Sequence, residues 1–565
     1  MNIFDSQFWT QFLAIAKPYW YPNEGKRTTL GLLWSWFTLA VMLLLLLSLT
    51  CINAYTSYAV RDMIFFLEQK DAPGFFRMLL IFAALLAIYT PIVGISQYLK
   101  AKIAADWYQF LNGYILDKYF QNRAYYQIFF QSNIENPDQR ISQEIGPIPK
   151  ISINILFTFV EKIIEIITFT GVIWAISKPV AVFVIFYGIL GNFFAGLFSQ
   201  ELTNINFEQL DSEANYNYCL NHIHNNAESI AFFQGEAQEL NTAKQRFARV
   251  MQNFERLIGW QRNQQIFNTG YFAFLNLLPF LTVAPLYFID QIQLGEVNQV
   301  NTACVIFSTS LSVIVNEFSN SGRLANLLNR LSTFIDALDA TKTQQELLDT
   351  IETVEGDCLN FEHVTLQTPN YEQVLIQDLT VSVELGQGLL IVGSSGSGKS
   401  SLLRAIAGLW NAGTGRIIRP NLEETLFLPQ RPYMILGTLR EQLLYPNKNC
   451  QITDQELEQV LQQVNLSDLL TRVGSFDKEE YWEKILSLGE QQRLAFARLL
   501  IKRPSYVILD EATSALDLNN EENLYQQLQQ TGATFISVGH RQSLFNYHQL
   551  VLELSEDSGW RFILS

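Results

Sequence analysis

Cysteine and charge are both scarce in this chain. Five cysteines are scattered over 565 residues, at Cys51, Cys219, Cys304, Cys358 and Cys450, and no two form a C-x-x-C pair. A disulfide framework and a thiolate metal site are thereby excluded as the basis of the fold, and a reducing compartment fits the C-terminal part. Charged residues make up 16% of the chain, against roughly 25% in soluble proteins. Basic runs are missing and the net charge is −16. Nucleic acid is not an expected partner, because phosphate neutralisation by Lys and Arg supplies most of that affinity. The start of the chain also lacks the basic stretch and short apolar core of a cleavable leader.

Long uncharged apolar runs, by contrast, fill the first two-thirds, while the last third has the composition of a soluble α/β domain. Crossing about 30 Å of hydrocarbon takes about 20 helical residues. Residues 30–53 meet that need, and 77–99, 152–177, 180–198, 266–289 and 302–318 complete an expected set of six spans. The 302–318 run is short and rich in Ser and Thr, and 152–177 holds Glu161, Lys162 and Glu165. Charges at that depth cost at least a few kcal/mol and face a cavity or a partner. Cargo cations or protons, or an ion pair with Lys162 or a neighbouring helix, are the alternatives for Glu161 and Glu165.

Loop charges set the orientation. With the N-terminus inside, the cytoplasmic side carries Lys17, Lys26, Arg27, Lys100, Lys102, Lys118, Arg123, Arg140, Lys150, Lys244, Arg246, Arg249, Arg256 and Arg262. The other side has only Arg61, Lys70 and Lys178. The polar stretches near 100–150 and 199–265 keep helical spacing, as in Ile230, Phe233, Ala237 and Leu240, so they are expected to extend the membrane helices. Phe4, Phe8, Trp9, Phe12 and Ile15 share one helical face, either lying in the membrane interface or packing on the bundle. The expected domains are 1–335 in the membrane, a polar linker at 336–355, and 356–565.

The last third carries ordered motifs. Leu389-Leu390-Ile391-Val392 is a buried strand running into Gly393-Ser394-Ser395-Gly396-Ser397-Gly398-Lys399-Ser400, a phosphate-binding loop with a helix behind it. Its glycines turn backbone N–H groups toward phosphates, and the helix N-terminus adds positive potential. Lys399 is expected to reach the β- and γ-phosphates of ATP, Ser400 to ligate Mg2+, and Ser401 to meet the α-phosphate. Tyr506-Val507-Ile508-Leu509 is a second strand that delivers Asp510 to the metal and Glu511 to the attacking water. His540 ends a third strand, within reach of the γ-phosphate.

Leu486-Ser487-Leu488-Gly489-Glu490 resembles the signature loop of ATP-binding cassette (ABC) transporters, Ser514-Ala515-Leu516-Asp517 their D-loop, and Pro429-Gln430 their Q-loop, with His540 as the switch histidine. The resemblance implies that Ser487, Gly489, Glu490 and Asp517 meet ATP held by the phosphate loop of a second copy. It also implies that Gln430 contacts both metal and attacking water. Ala16-Lys17-Pro18-Tyr19-Trp20, Asn136-Pro137-Asp138-Gln139-Arg140-Ile141 and Glu228-Ser229-Ile230-Ala231-Phe232-Phe233-Gln234-Gly235-Glu236 resemble one branch in particular. It joins SbmA/BacA-like (YddA-type) bacterial half-transporters to ABC subfamily D. There the 228–236 segment resembles the helix that docks on the cassette.

Three departures from the pattern stand out. Leu488 replaces the usual Gly, Asn217 stands where relatives carry Arg, and the adenine-stacking aromatic is missing near Thr368, with Tyr371 as a substitute. The implied protein is a homodimer with a six-helix, exporter-like (type IV) membrane domain and an α/β P-loop cassette. It hydrolyses ATP, with Mg2+, in a bacterial cytoplasmic membrane. The resemblance to this branch implies import of a hydrophilic solute such as cobalamin or a peptide, and polar residues in the spans (Asn154, Thr158, Glu161, Glu165, Thr168, Thr170) favour a wet cavity and a polar solute. Fatty acid or acyl-CoA cargo, drug-like export, and a membrane-tethered regulatory ATPase are the other expectations.

Overall fold

The computed structural model describes residues 6–21, 28–130, 137–343, 350–446 and 452–564. Phe4, Lys26, Arg27, Asn136, Cys450 and linker residues 344–349 lie outside these ranges. The chain divides into two compact units, Met1–Gln345 and Glu346–Ser565.

The first unit is helical. After α1 (Ser6–Trp20) come α2 (Thr29–Glu68), α3 (Ala72–Phe120), α4 (Pro147–Ile176), α5 (Lys178–Asn225), α6 (Glu236–Phe288) and α7 (Leu294–Thr343). Among the described residues, five stretches are long and apolar enough to cross a membrane: Thr29–Glu68, Ala72–Ile128, Lys178–Phe198, Glu236–Phe288 and Leu294–Val315. The sixth expected span lies in α4, a continuous helix of 30 residues, about 45 Å long. Its apolar run is broken by Glu161, Lys162 and Glu165. Outward-facing Leu33, Phe37, Ile167, Phe186 and Phe193 are more than half exposed, as a surface bathed in lipid requires.

α4 packs along α7, α5 along α6, and α2 along α3. One cluster joins Phe8, Ile15 and Tyr19 of α1 to Met42 of α2, Trp107 and Leu111 of α3, and Leu328 and Phe334 of α7. Tyr19 stacks on Trp107 at 5.7 Å. The aromatic face of α1 is therefore a packing face, with Trp9 turned outward. A short helix, Ala227–Phe233, ends where Gln234 turns left-handed (φ 53°). It holds out Phe232 (79% exposed) and Phe233 (86% exposed). Helix α7 runs to Thr343, and the first strand of the second unit begins at Glu352, so regular structure enters the 336–355 stretch from both sides.

Inside α4, Lys162 Nζ lies 2.8 Å from both Glu161 Oε1 and Glu165 Oε2. Ser310 of α7 donates to Glu165 Oε2 at 2.6 Å, and Asn154 donates to Glu317 Oε1 at 3.3 Å. The geometry contains the ion pair rather than a free carboxylate. Removing one side of a buried pair strands the other charge at a cost of about 3–5 kcal/mol, and partial exposure of Lys162 and Glu161 brings the cost here toward or below the lower end. Glu161→Gln with Glu165→Gln should therefore lower the thermal midpoint, and adding Lys162→Met should recover most of it. Loss without recovery, or transport whose pH dependence moves in the triple variant, would instead indicate a role in carrying cargo or protons.

The second unit is built on two main sheets, with a small two-stranded pairing of 437–438 with 479–480 beside them. Strands β1 (Glu352–Glu355), β2 (Leu359–Gln367), β3 (Val374–Val383) and β5 (Gly413–Arg419) form a four-stranded sheet in the order β1-β5-β2-β3. The larger sheet contains β4 (Gly388–Gly393), β6 (Thr425–Leu428), β7 (Tyr506–Asp510), β8 (Thr534–Val538), β9 (Leu550–Leu554) and β10 (Trp560–Leu564). Its order is β10-β9-β4-β8-β7-β6, parallel throughout except for the β9–β10 hairpin. Parallel strands covered on both faces must be apolar without alternation. Leu389-Leu390-Ile391, Val507-Ile508-Leu509 and Phe535-Ile536 accordingly have almost no exposure. The shared direction puts the carboxyl ends of β4, β7 and β8 at one edge, where ligands of open α/β sheets bind.

Candidate nucleotide site

The phosphate loop leaves β4 at Gly393, whose φ of 151° suits only glycine, and a Cβ there would lie 2.4 Å from Leu554 O. Gly398 (φ 90°) caps the N-terminus of α8, Lys399–Ile406. Lys399 is 8% exposed, and its ammonium donates to Gly393 O (2.8 Å) and Ser394 O (2.7 Å). Burial pushes the Lys399 pKa down, while the Glu511 and Asp510 carboxylates oppose the shift. The Ser397 hydroxyl is buried and has no hydrogen-bond partner. An orphaned hydroxyl, a helix N-terminus and a lysine around a loop with no side chain at Gly393 fit a bound phosphate chain.

At the end of β7, Asp510 Oδ1 accepts from Ser400 Oγ at 3.3 Å. Burial, with help from neighbouring Glu511, raises the Asp510 pKa despite the Ser400 hydrogen bond. A cation at this point would relieve that penalty. Ser400 Oγ and Asp510 are hard oxygen donors of the kind that suit Mg2+, and Gln430, tied through its amide nitrogen to the adjacent Glu511, would have its amide oxygen left to join them. Among the described residues no group of three or more His, Cys, Asp or Glu could hold a metal. An ion here would thus complete its shell with phosphate oxygens and water.

Glu511 is the most constrained residue of the site. Its φ is +47°, a conformation that costs a non-glycine residue on the order of 1–3 kcal/mol and clusters at functional sites. Its N–H bonds Val538 O at 3.1 Å, tying it to β8. Gln430 Nε2 donates to Glu511 Oε2 at 2.8 Å, and His540 Nε2 lies 3.7 Å from Oε1. Lys399, Ser400, Gln430, Asp510, Glu511 and His540 therefore line one edge of one sheet.

Ser487 caps the helix Leu488–Lys502 in a capping box with Glu490. A Cβ on Gly489 would lie 3.1 Å from Ala515 O, so only a small residue allows the close approach to 514–517. Asp517 caps the helix Leu518–Gln530 through Asn520 N at 2.8 Å. That bond holds its carboxyl below the usual range. Tyr371 sits in the β2–β3 turn with φ 58°, its N–H on Thr368 O at 2.8 Å. The following strand brings Leu375 to the edge of Gly398.

Three supporting residues are given no role by the motifs, although Gln492 lies within the stretch that continues the signature loop. Fully buried Gln492 donates to Gln430 O (2.9 Å) and Ser514 Oγ (3.3 Å) and accepts from Ala515 N (3.0 Å). Arg541 grips the same loop from the other side, at Leu516 O (2.8 Å) and Ser514 O (3.0 Å). Arg472 Nη2 pairs with Glu490 Oε1 at 2.8 Å. Adjacency to His540 is a sequence signal for Arg541; Arg472 has none.

Comparison with known proteins agrees with this architecture. Residues 33–288 match the family model described as ABC transporter transmembrane region 2, and 376–514 match the one described as ABC transporter. An uncharacterized ABC transporter ATP-binding protein of Synechocystis is 41% identical, over 93% of this chain and 81% of that protein. The lysosomal cobalamin transporter ABCD4 of Homo sapiens is 30% identical, over 99% of this chain and 96% of that one. A bacterial Atm1-family ABC exporter solved with ATP bound has the same fold, with a TM-score of 0.71 at 18% identity over 94% of this chain and 95% of that one. The chain belongs to the ABC transporter family, as an ATP-hydrolysing half-transporter of the branch that contains subfamily D.

Proposed function

We propose that two copies of this chain form a transporter that imports a hydrophilic solute, cobalamin-like or peptidic, across a bacterial cytoplasmic membrane. The cassettes stand on the cytoplasmic side, where the Lys and Arg bias puts them. The observation that carries the ATP chemistry is the Glu511 carboxylate held by Gln430 beside His540. With one oxygen occupied by Gln430, the other is left to polarise a water. Lys399 has a third N–H beyond its two carbonyl bonds, available to a phosphate oxygen. Ser400, Asp510 and Gln430 would hold Mg2+, which would supply charge neutralisation to the phosphates. Tyr371 offers a face to adenine. Ser487, Gly489, Glu490 and Asp517 close over the ATP of the other copy. The 228–236 segment, which holds out Phe232 and Phe233, resembles the helix that transmits cassette closure in this branch.

Import of a polar solute draws on the name of the human relative and on polar groups within the spans, Asn154, Ser310 and Glu317 among them. Uptake into proteoliposomes of labelled cobalamin, peptide and fatty acyl-CoA, with Glu511→Gln as control, tests it. ATP-dependent movement of cobalamin or peptide is expected. Movement of acyl-CoA alone would replace the cargo assignment, and stimulated ATPase without any movement would indicate a regulatory ATPase.

A further inference from the structure

Glu490 puts a negative charge where a phosphate is meant to arrive. It lies in the first turn of the helix Leu488–Lys502, whose N-terminus would attract an anion through its free N–H groups and macrodipole. A carboxylate at that end repels a second anion. The inference rests on the reading above, in which this segment closes over the partner copy's ATP.

The two oxygens of Glu490 have separate partners. Oε2 accepts from Ser487 N (2.9 Å) and Ser487 Oγ (3.1 Å). Oε1 meets Arg472 Nη2 at 2.8 Å, with side-chain exposures of 14% for Glu490 and 45% for Arg472. Although burial raises the Glu490 pKa, the Ser487 hydrogen bonds and the Arg472 guanidinium hold it below the usual value, so the group is ionised. Arg472 belongs to a different short helix, Leu469–Val473. Its Nε is 3.7 Å from Asp468 Oδ2, a longer contact than the one to Glu490. The cation is thus committed mainly to Glu490.

We propose that Arg472 is the counter-ion that lets a glutamate serve in the signature segment, cancelling its charge so that the γ-phosphate of the partner's ATP can approach. Arg472 acts through Glu490 and is a positioning residue. A neutral glutamine in the place of Glu490 would need no such partner, so the two positions depend on each other.

The test uses the full-length protein in nanodiscs, with Arg472→Gln and the double variant Arg472→Gln, Glu490→Gln. Arg472→Gln should raise the ATP concentration for half-maximal hydrolysis by about 10-fold, and added salt should narrow that gap by screening the repulsion. ADP lacks the γ-phosphate, so its affinity should stay within about twofold, whereas a general folding defect would weaken ADP and ATP alike. The double variant should regain most of the loss. An Arg472→Gln protein with parental ATP dependence, or a defect that Glu490→Gln leaves unrepaired, would overturn the proposal. Energy transfer between labelled cassettes separates this from failure of the composite site. If the parent closes on ATP and Arg472→Gln closes at the same ATP concentration, only the counter-ion role falls. If the parent shows no ATP-driven approach of two copies, the composite site falls with it.

Discussion

Glu511→Gln will lower ATP hydrolysis by at least about 100-fold, the contribution of a positioned acid–base group, while ATP still binds. Gln is nearly isosteric and can accept the hydrogen bond that Gln430 Nε2 now makes to Oε2 at 2.8 Å. The left-handed backbone at this residue, with its N–H on Val538 O, is equally open to Gln. What disappears is the negative charge beside His540, and with it the ability to polarise water. The phosphate loop is untouched, so nucleotide affinity should hold within a few-fold. Single-turnover hydrolysis and equilibrium binding of labelled ATP, measured on the same preparation, check both halves. Turnover near the parent rate would remove Glu511 from the mechanism.

Lys399→Ala should produce the opposite pattern, loss of binding first. The ammonium holds the loop closed through the Gly393 and Ser394 carbonyls, and it is the cation nearest the orphaned Ser397 hydroxyl in sequence. Charge-assisted hydrogen bonds are worth about 1.5–3 kcal/mol each, so ATP affinity should fall by on the order of 100-fold. Membrane insertion should be unaffected, because the change lies in the second unit. Equilibrium titration with ATP measures it; affinity within threefold of the parent would show that the lysine only ties its own loop.

What is legible in the sequence depends on the range of the interaction. The phosphate loop, Asp510 and Glu511 each follow an unbroken apolar strand, and parallel pairing of those strands carries their ends to one edge. Local sequence encodes all of that. The φ of Glu511 leaves no trace in the sequence: it occurs where the residue's N–H meets Val538 O on the neighbouring strand. Arg472 and Glu490 are joined only by the folding of a separate short helix. The stripe of Phe8, Phe12 and Ile15 has the same spacing whether it faces lipid or protein; the position of Trp107 decides it. In α4, a three-charge break in the apolar run reads equally as a cargo site or an ion pair, and only the rotamer of Lys162 separates the two. The 336–355 stretch looks like a linker because its polar composition hides a helix end and a strand start.

Transport in this scheme requires ATP held between two copies. The most direct measurement is ATP hydrolysis per chain in nanodiscs sorted to contain one copy or two. Discs with two copies should hydrolyse ATP, and discs with one should be nearly silent while still binding nucleotide. Equal rates per chain in both would contradict it.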